Sequence, residues 1–311
     1  MPTVLVTGAR GFVGRALCDR LHAEGHDVKR IVRSSSDPKE IAVGEIGNAT
    51  DWHGHLSGCE VVVHLAARVH VMDDLSADPL AAYLQANTYA TLNLARQASE
   101  AGVRRFIYIS SIKVNGESGH FAGSDVPSPV DPYAVSKWEA EKGLLEIAEN
   151  SSMEIVILRP PLVYGPGVRA NFLRLMRWVD MGVPLPLASV HNFRSMIFLG
   201  NLVDAIVQVM TRSEGAGKTY LVSDGEDIST PNLIRKIATA LGKHANLWPL
   251  PMKFLRFLGM LSGKSAEVDR LVGNLQIHNN DFLRDLGWRP PYSLDQGITA
   301  TADWYRKVNT K

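Results

Sequence analysis

Short apolar runs alternate with helical periodicity over the first 160 residues. TVLVT (3–7) predicts a strand, and FVGRALCDRLHAEG (12–25) a helix closed by Gly25. DVKRIV (27–32) is a second strand and IAVGEI (41–46) a weaker third. EVVVHLAA (60–67) is nearly all apolar, as a strand buried on both faces should be. DPLAAYLQANTYATLNLARQASEAG (78–102) predicts one long helix, with Pro79 near its start and Gly102 at its end. RRFIYISS (104–111), DPYAVSKWEAEKGLLEIAEN (131–150) and EIVILRP (154–160) continue as strand, helix and strand. Such alternation implies an α/β fold, a Rossmann-type doubly wound parallel sheet with right-handed crossovers.

Beyond about residue 165 the pattern loosens. NFLRLMRWVDMG (171–182), GNLVDAIVQVMTRS (200–213) and STPNLIRKIATALG (229–242) predict helices, and TYLVSDG (219–225) a strand. PMKFLRFLGMLSG (251–263) is an amphipathic helix, expected to face the core and not a membrane surface. The expected organisation is a dinucleotide-binding domain over 1–165 and a smaller, mixed substrate domain over 166–311, with the chain partly re-entering the sheet.

Composition changes this picture little. Apolar residues are 45% and charged residues 21% of 311, and the formal net charge is +1. Nothing global points to nucleic acid or to a membrane surface. The longest apolar stretches fall well short of the ~18 residues of a membrane span, so a cytoplasmic location is expected. Cys18 and Cys59 show no metal-ligand spacing and are expected to be buried free thiols. No metal site is expected.

Thr7-Gly8-Ala9-Arg10-Gly11-Phe12-Val13-Gly14 is TGxxGxxG between a strand and a helix. Gly8 permits the turn, Gly11 allows a pyrophosphate to approach the backbone, and Gly14 lets the helix pack on the strand. The helix N-terminus then offers free N–H groups to phosphate. An acidic residue at the end of the second strand would mark NAD. Here that end reads Ile31-Val32-Arg33-Ser34. Arg33 is expected to meet Arg10 around a 2′-phosphate, which favours NADP(H), with NAD(H) possible.

Tyr133-Ala134-Val135-Ser136-Lys137 is YxxxK on a helix, so Tyr133 and Lys137 share one face. An ammonium close by would stabilise the phenolate and lower the tyrosine pKa from its ordinary value near 10. Ser110-Ser111 ends the preceding strand, where a hydroxyl can reach the same substrate oxygen. His64 lies in a buried strand and reads as a satisfied core histidine.

Together TGxxGxxG, HLAA (64–67), Ser111, YxxxK, LRPPLVYGPG (158–167) and LGWRPPYSLDQGITATADWY (286–305) resemble the extended short-chain dehydrogenase/reductases. These are nucleotide-sugar epimerases, dehydratases and reductases. The resemblance implies a catalytic set of Ser111, Tyr133 and Lys137. It implies cofactor contacts from Phe12, Val13, Leu65, Ala66, Ala67 and Pro160, with Glu45 and Ile46 against the adenine. It implies a UDP-sugar substrate, with Lys113 beside Ser111, and Asn171 and Arg194 on the nucleoside diphosphate. RSMIFLGNLVDAI (194–206) departs from the family pattern at Ser195 and Met196, and Leu162 replaces a frequent Asn. A homodimer through helices 78–102 and 131–150 is also implied.

The family's 4,6-dehydratases carry Asp-Glu directly after the catalytic residue, where this chain has Ile112 and Lys113. Dehydratase chemistry is therefore not expected. LAARVHVM (65–72), SSIKVNGE (110–117) and RPPLVYGPGVRANFLRLM (159–176) look closest to bacterial surface-polysaccharide enzymes. The expected activity is reduction of the C4 ketone of a UDP-4-keto-6-deoxy-hexosamine. The alternatives are a UDP-hexose 4-epimerase with retained NAD and a non-catalytic dinucleotide-sensing regulator. Intact Tyr133 and Lys137 count against the regulator.

Overall fold

The computed structural model describes residues 1–69, 78–261, 263 and 265–309. Residues 70–72 of LAARVHVM and residue 262 of the 251–263 stretch lie outside the described residues. The chain begins β1 (Thr3–Thr7), α1 (Phe12–Ala23), β2 (Asp27–Val32), β3 (Glu40–Ala42), α2 (His53–Leu56) and β4 (Val61–His64). It continues through α3 (Pro79–Tyr83), α4 (Ala90–Glu100), β5 (Arg105–Ile109), β6 (Gly119–Phe121), α5 (Pro132–Glu149) and β7 (Glu154–Arg159). Then come β8 (Leu162–Tyr164), α6 (Ala170–Asp180), β9 (Arg194–Phe198), α7 (Leu199–Thr211), β10 (Thr219–Leu221) and β11 (Asp227–Ile228). Last are α8 (Thr230–Leu241), α9 (Met252–Leu261), α10 (Ser265–Val272), β12 (Leu275–Ile277), α11 (Asn280–Leu286) and α12 (Leu294–Asn309).

Seven parallel strands form the main sheet in the order β10-β7-β5-β4-β1-β2-β3. All five residues of β5 and all four of β4 are buried, because helices cover both faces. Alternate side chains serve opposite faces. Val4, Val6, Val63 and Ile107 pack on α1 and α7, whereas Leu5, Val62, Phe106 and Tyr108 pack on α4 and α5. The order reverses at β1 and β4, so a crevice opens beyond their C-terminal ends, the usual ligand position in such sheets.

A smaller sheet runs β11-β9-β12-β6, with β8 parallel to β9. The chain crosses between layers in both directions: β6 leaves the N-terminal half for the small sheet, and β10 returns to the main sheet beside β7. The second core gathers Tyr164, Phe172, Phe198, Ile234 and Ile298. Helix α8 follows its local signals: Ser229 caps Asn232 N at 3.3 Å, Pro231 sits in the first turn, and Gly242 ends it at φ +72°. Cys18 and Cys59 are buried free thiols.

Three expectations need correction. The helix over 78–102 is broken into α3 and α4 by a π-helical turn, Leu84–Tyr89. Of IAVGEI only Ile41 and Ala42 belong to a strand, at the sheet's edge. Helix α9 buries Leu255, but Phe254, Phe257, Met260 and Leu261 face outward at 50%, 47%, 62% and 68% exposure. Apolar residues lie on both of its sides, and the core covers only one.

Candidate active site

The glycine turn is built as its spacing implies. Gly8 has φ +68°, and a Cβ there would lie 3.0 Å from Ala66 N. At Gly14 a Cβ would overlap the Gly8 carbonyl oxygen, so only glycine fits. Helix α1 starts at Phe12 and Val13 with Gly11 as N-cap and no side-chain cap. Its first N–H groups are thus directed at the crevice, a geometry that fits a diphosphate.

Across the crevice, Leu65 N and Ala66 N each donate to Thr7 Oγ1 at 3.2 Å. That leaves the Thr7 hydroxyl proton for His64 Nδ1, 2.8 Å away. His64 Nε2–H then donates to Thr91 Oγ1 at 3.0 Å, and Thr91 donates to Asn87 O at 2.6 Å. Burial lowers the His64 pKa to about 3, so the ring is a neutral link. It is the satisfied core histidine expected, and it holds the Leu65–Ala67 ledge against the glycine turn.

A cavity of about 460 Å³ continues from this ledge, lined among others by Arg10, Arg33, Ser34, Glu45, Ile46 and Ala67. The expected meeting of Arg10 with Arg33 takes a different form. Arg10 closes on Glu40, with Nη2 to Oε2 at 2.6 Å and Nε to Oε1 at 3.1 Å. It also donates to Ser34 O and Ser35 Oγ. Arg33 stands 3.5 Å from Glu45, both strongly exposed. Arg10 and Arg33 therefore each have a carboxylate beside them.

At the end of β5, Ser111 accepts from Lys113 N at 3.2 Å and caps a short 3₁₀ turn, Ile112–Val114. Pro160 is buried beside it and accepts from Ile112 N at 3.0 Å. Asp131 N-caps α5 through Ala134 N at 2.7 Å, which aims the first turn, with Tyr133, at Ser111. The Ser111 side chain lies close enough to Tyr133 to favour its phenolate. Lys137 is 2% exposed, donates from Nζ to Ile109 O at 2.9 Å, and lies 4.6 Å from the Tyr108 ring centre. Burial lowers Lys137 to about 7, opposed by the Glu141 charge. Tyr133 is pushed up to about 12 by burial and by Asp131, against the effect of Ser111. The expectation that Lys137 lowers the tyrosine pKa does not hold among the protein's own groups. Desolvation of the buried phenolate is the dominant effect there.

The sequence reading missed three sets of polar contacts here, although it named Lys113 and Arg194 as site residues. Behind Lys137, Arg159 grips Glu141 with Nε at 3.0 Å and Nη2 at 2.5 Å, and Glu141 also accepts from Ser110 Oγ. At the mouth, Lys113 pairs with Asp131 and with Glu117 at 3.0 Å, and Glu117 lies 3.6 Å from Arg270. Arg194 donates to Arg270 O at 2.7 Å, and the two like charges disfavour each other. Charge therefore alternates from the N-cap of α5 to two guanidiniums on the second layer. Asn171 lies exposed on the first turn of α6. Finally, the π turn places Asn87 where Nδ2 donates to Ser136 Oγ at 3.0 Å, and Ser136 donates to Tyr133 O. Only YxxxK was a local signal; the partners of these groups lie 3 to 153 positions away.

Comparison with known proteins agrees with this geometry. The model of the NAD dependent epimerase/dehydratase family matches residues 4–223. A UDP-glucose 4-epimerase of Vibrio cholerae is 45% identical over 318 residues, 99% of this chain and 97% of that protein. An N-acetyl-alpha-D-glucosaminyl-diphospho-ditrans,octacis-undecaprenol 4-epimerase of Escherichia coli O157:H7 is 27% identical over 99% of this chain and 96% of its own. The solved structure of MoeE5 in complex with UDP-glucose and NAD superposes with a TM-score of 0.78 at 25% identity, covering 99% of each chain.

Proposed function

The chain belongs to the NAD dependent epimerase/dehydratase family, and on that premise we propose that it inverts the C4 hydroxyl of a UDP-hexose with NAD(H) as resident cofactor. The observation that supports this reading is Tyr133 beside Ser111 and one helical turn from buried Lys137, with Ile112 and Lys113, not carboxylic acids, in the two positions after Ser111. That set handles a hydride and a proton at one carbinol and has no acid–base pair for dehydration. The full-length likeness to the Vibrio cholerae UDP-glucose 4-epimerase supports epimerisation over net reduction. The carboxylate beside each of Arg10 and Arg33 supports a cofactor without a 2′-phosphate.

The uncapped start of α1 and the 460 Å³ cavity fit a dinucleotide. Bound there, it supplies the acceptor and donor of the C4 hydride. Tyr133 takes the proton of the C4 hydroxyl during oxidation and returns it to the same oxygen after the sugar has turned. Ser111 hydrogen-bonds that oxygen, and Lys137 supplies the positive charge that a phenolate at Tyr133 needs. Arg194 and Arg270, with Asn171, hold the diphosphate, about which the keto sugar rotates.

A second reading, NADP(H)-dependent reduction of a 4-keto UDP-sugar, is favoured by one observation. Val32, not an acid, ends β2, and Arg10, Arg33 and Ser34 line the cavity beside it. Incubation with UDP-glucose separates the two. UDP-galactose should accumulate to a constant ratio with no net change in cofactor absorbance. Stoichiometric NADPH consumption with a 4-keto UDP-sugar, and no epimer from UDP-glucose, would replace the first reading by the second.

A further inference from the structure

Residues 228–266 contain no Asp or Glu, yet hold Arg235, Lys236, Lys243, Lys253, Arg256 and Lys264. The whole chain is almost balanced, with 33 basic and 32 acidic residues. Helix α9 lies inside this cationic stretch. Its inward side is Leu255 and Gly259. Its outward side carries Phe254, Phe257 and Leu261, spaced i, i+3, i+7, with Met260 beside them. The Phe254 and Phe257 rings are 6.4 Å apart, so the apolar stripe is continuous. Lys253 and Arg256 are exposed along its border, and Trp248, 45% exposed, precedes the helix by four residues.

We propose that α9 is a docking surface for an anionic phospholipid bilayer, lying in the plane of the headgroups. Aromatic and long aliphatic side chains on one stripe with Lys and Arg beside it suit the boundary between acyl chains and headgroups. Anionic headgroups supply the negative charge that this stretch lacks. Arg256 has Asp269 at 3.4 Å, Lys236 has Asp295, and Lys243 has Asp180 at 3.5 Å. These are exposed pairs, which bind weakly and exchange with solvent ions. Among the described residues no helix is long and apolar enough to cross a membrane. Ten residues of α-helix span only about 15 Å, so α9 can lie on a bilayer but not traverse it. The inference is independent of the nucleotide-sugar reading, because none of these residues belongs to the site.

Co-sedimentation of the full chain with vesicles tests it. Vesicles of phosphatidylglycerol and phosphatidylethanolamine in equal parts should carry the protein down, and phosphatidylcholine vesicles should not. Binding should weaken as salt is raised. A Phe254→Glu, Phe257→Glu double variant should lower the bound-to-free ratio at least tenfold, with unchanged circular dichroism and unchanged turnover of a soluble substrate. Lys253→Glu should lower it less. Absence of wild-type binding to the anionic vesicles overturns the proposal, as does equal binding by the double variant. A change in oligomeric mass for the double variant, without any lipid effect, would assign the stripe to a second copy and also overturn it.

Discussion

The Arg10 guanidinium faces Glu40 side-on, with N–O distances of 2.6 and 3.1 Å, 30 positions away in the chain. Glu40 is held below the usual carboxylate range by Arg10 and by Ser35, so it is an anion at neutral pH. A 2′-phosphate at this mouth must compete with it for Arg10.

Glu40→Gln removes the competing charge and leaves the shape. The Kd for NADP⁺ should fall roughly tenfold relative to that for NAD⁺, about 1.4 kcal/mol. Arg33→Ala should change the ratio less, because Arg33 is largely exposed and screened. Titration calorimetry with both dinucleotides measures this. An unchanged ratio in Glu40→Gln would remove Arg10 from cofactor selection.

Tyr133→Phe removes only the proton carrier. It should cut kcat by roughly 10²–10⁴ and leave cofactor Kd nearly intact. Ser111→Ala should cost less, since it removes an orienting bond. Lys137→Met should impair kcat and cofactor binding together. Steady-state rates and dinucleotide Kd values decide, and near-normal turnover by Tyr133→Phe would exclude it from the mechanism.

Lys137 titrates at about 7 in the folded chain, against about 10.4 when unfolded. Between these values the unfolded chain holds a proton that the folded chain does not, so this group makes stability rise with pH across that window. Below about 7 both states are protonated and the full burial penalty is present. The Tm gain of Lys137→Met over wild type should therefore be larger at about pH 6 than at about pH 9. Thermal melts at the two pH values check the sign, and an equal gain would show that the lysine stays charged in the fold.

Glu141 and Arg159 are 1% and 5% exposed in their side chains. Arg159→Met should destabilise by about 3–5 kcal/mol, because it strands a buried carboxylate. Glu141→Leu combined with Arg159→Met should recover much of that loss. Urea unfolding of the single and double variants measures the difference. If the double variant is as unstable as Arg159→Met, the stranded charge is not the cause.

The sequence by itself determined the parallel layer, the glycine turn and the Ser111–Tyr133–Lys137 set. The first two, and the pairing of Tyr133 with Lys137, rest on local spacing: a strand beside glycines, four residues on a helix face; the choice of Ser111 over Ser110 at the strand end came from the family resemblance. The small sheet left little trace, because strands of two to five residues such as β11 and β12 are too short to show alternation. The π turn was hidden because LQANTY holds no Gly or Pro to mark a break, and the bonds of Asn87 to Arg68 and Ser136 that accompany it are long-range. Tertiary structure alone decided which charges meet. Arg10 finds Glu40, and Arg270 reaches Glu117 across 153 positions, because such contacts depend on how distant segments pack. It also decided the exposed side of α9. Periodicity states which residues share a face, but only the packed neighbours state which face is covered.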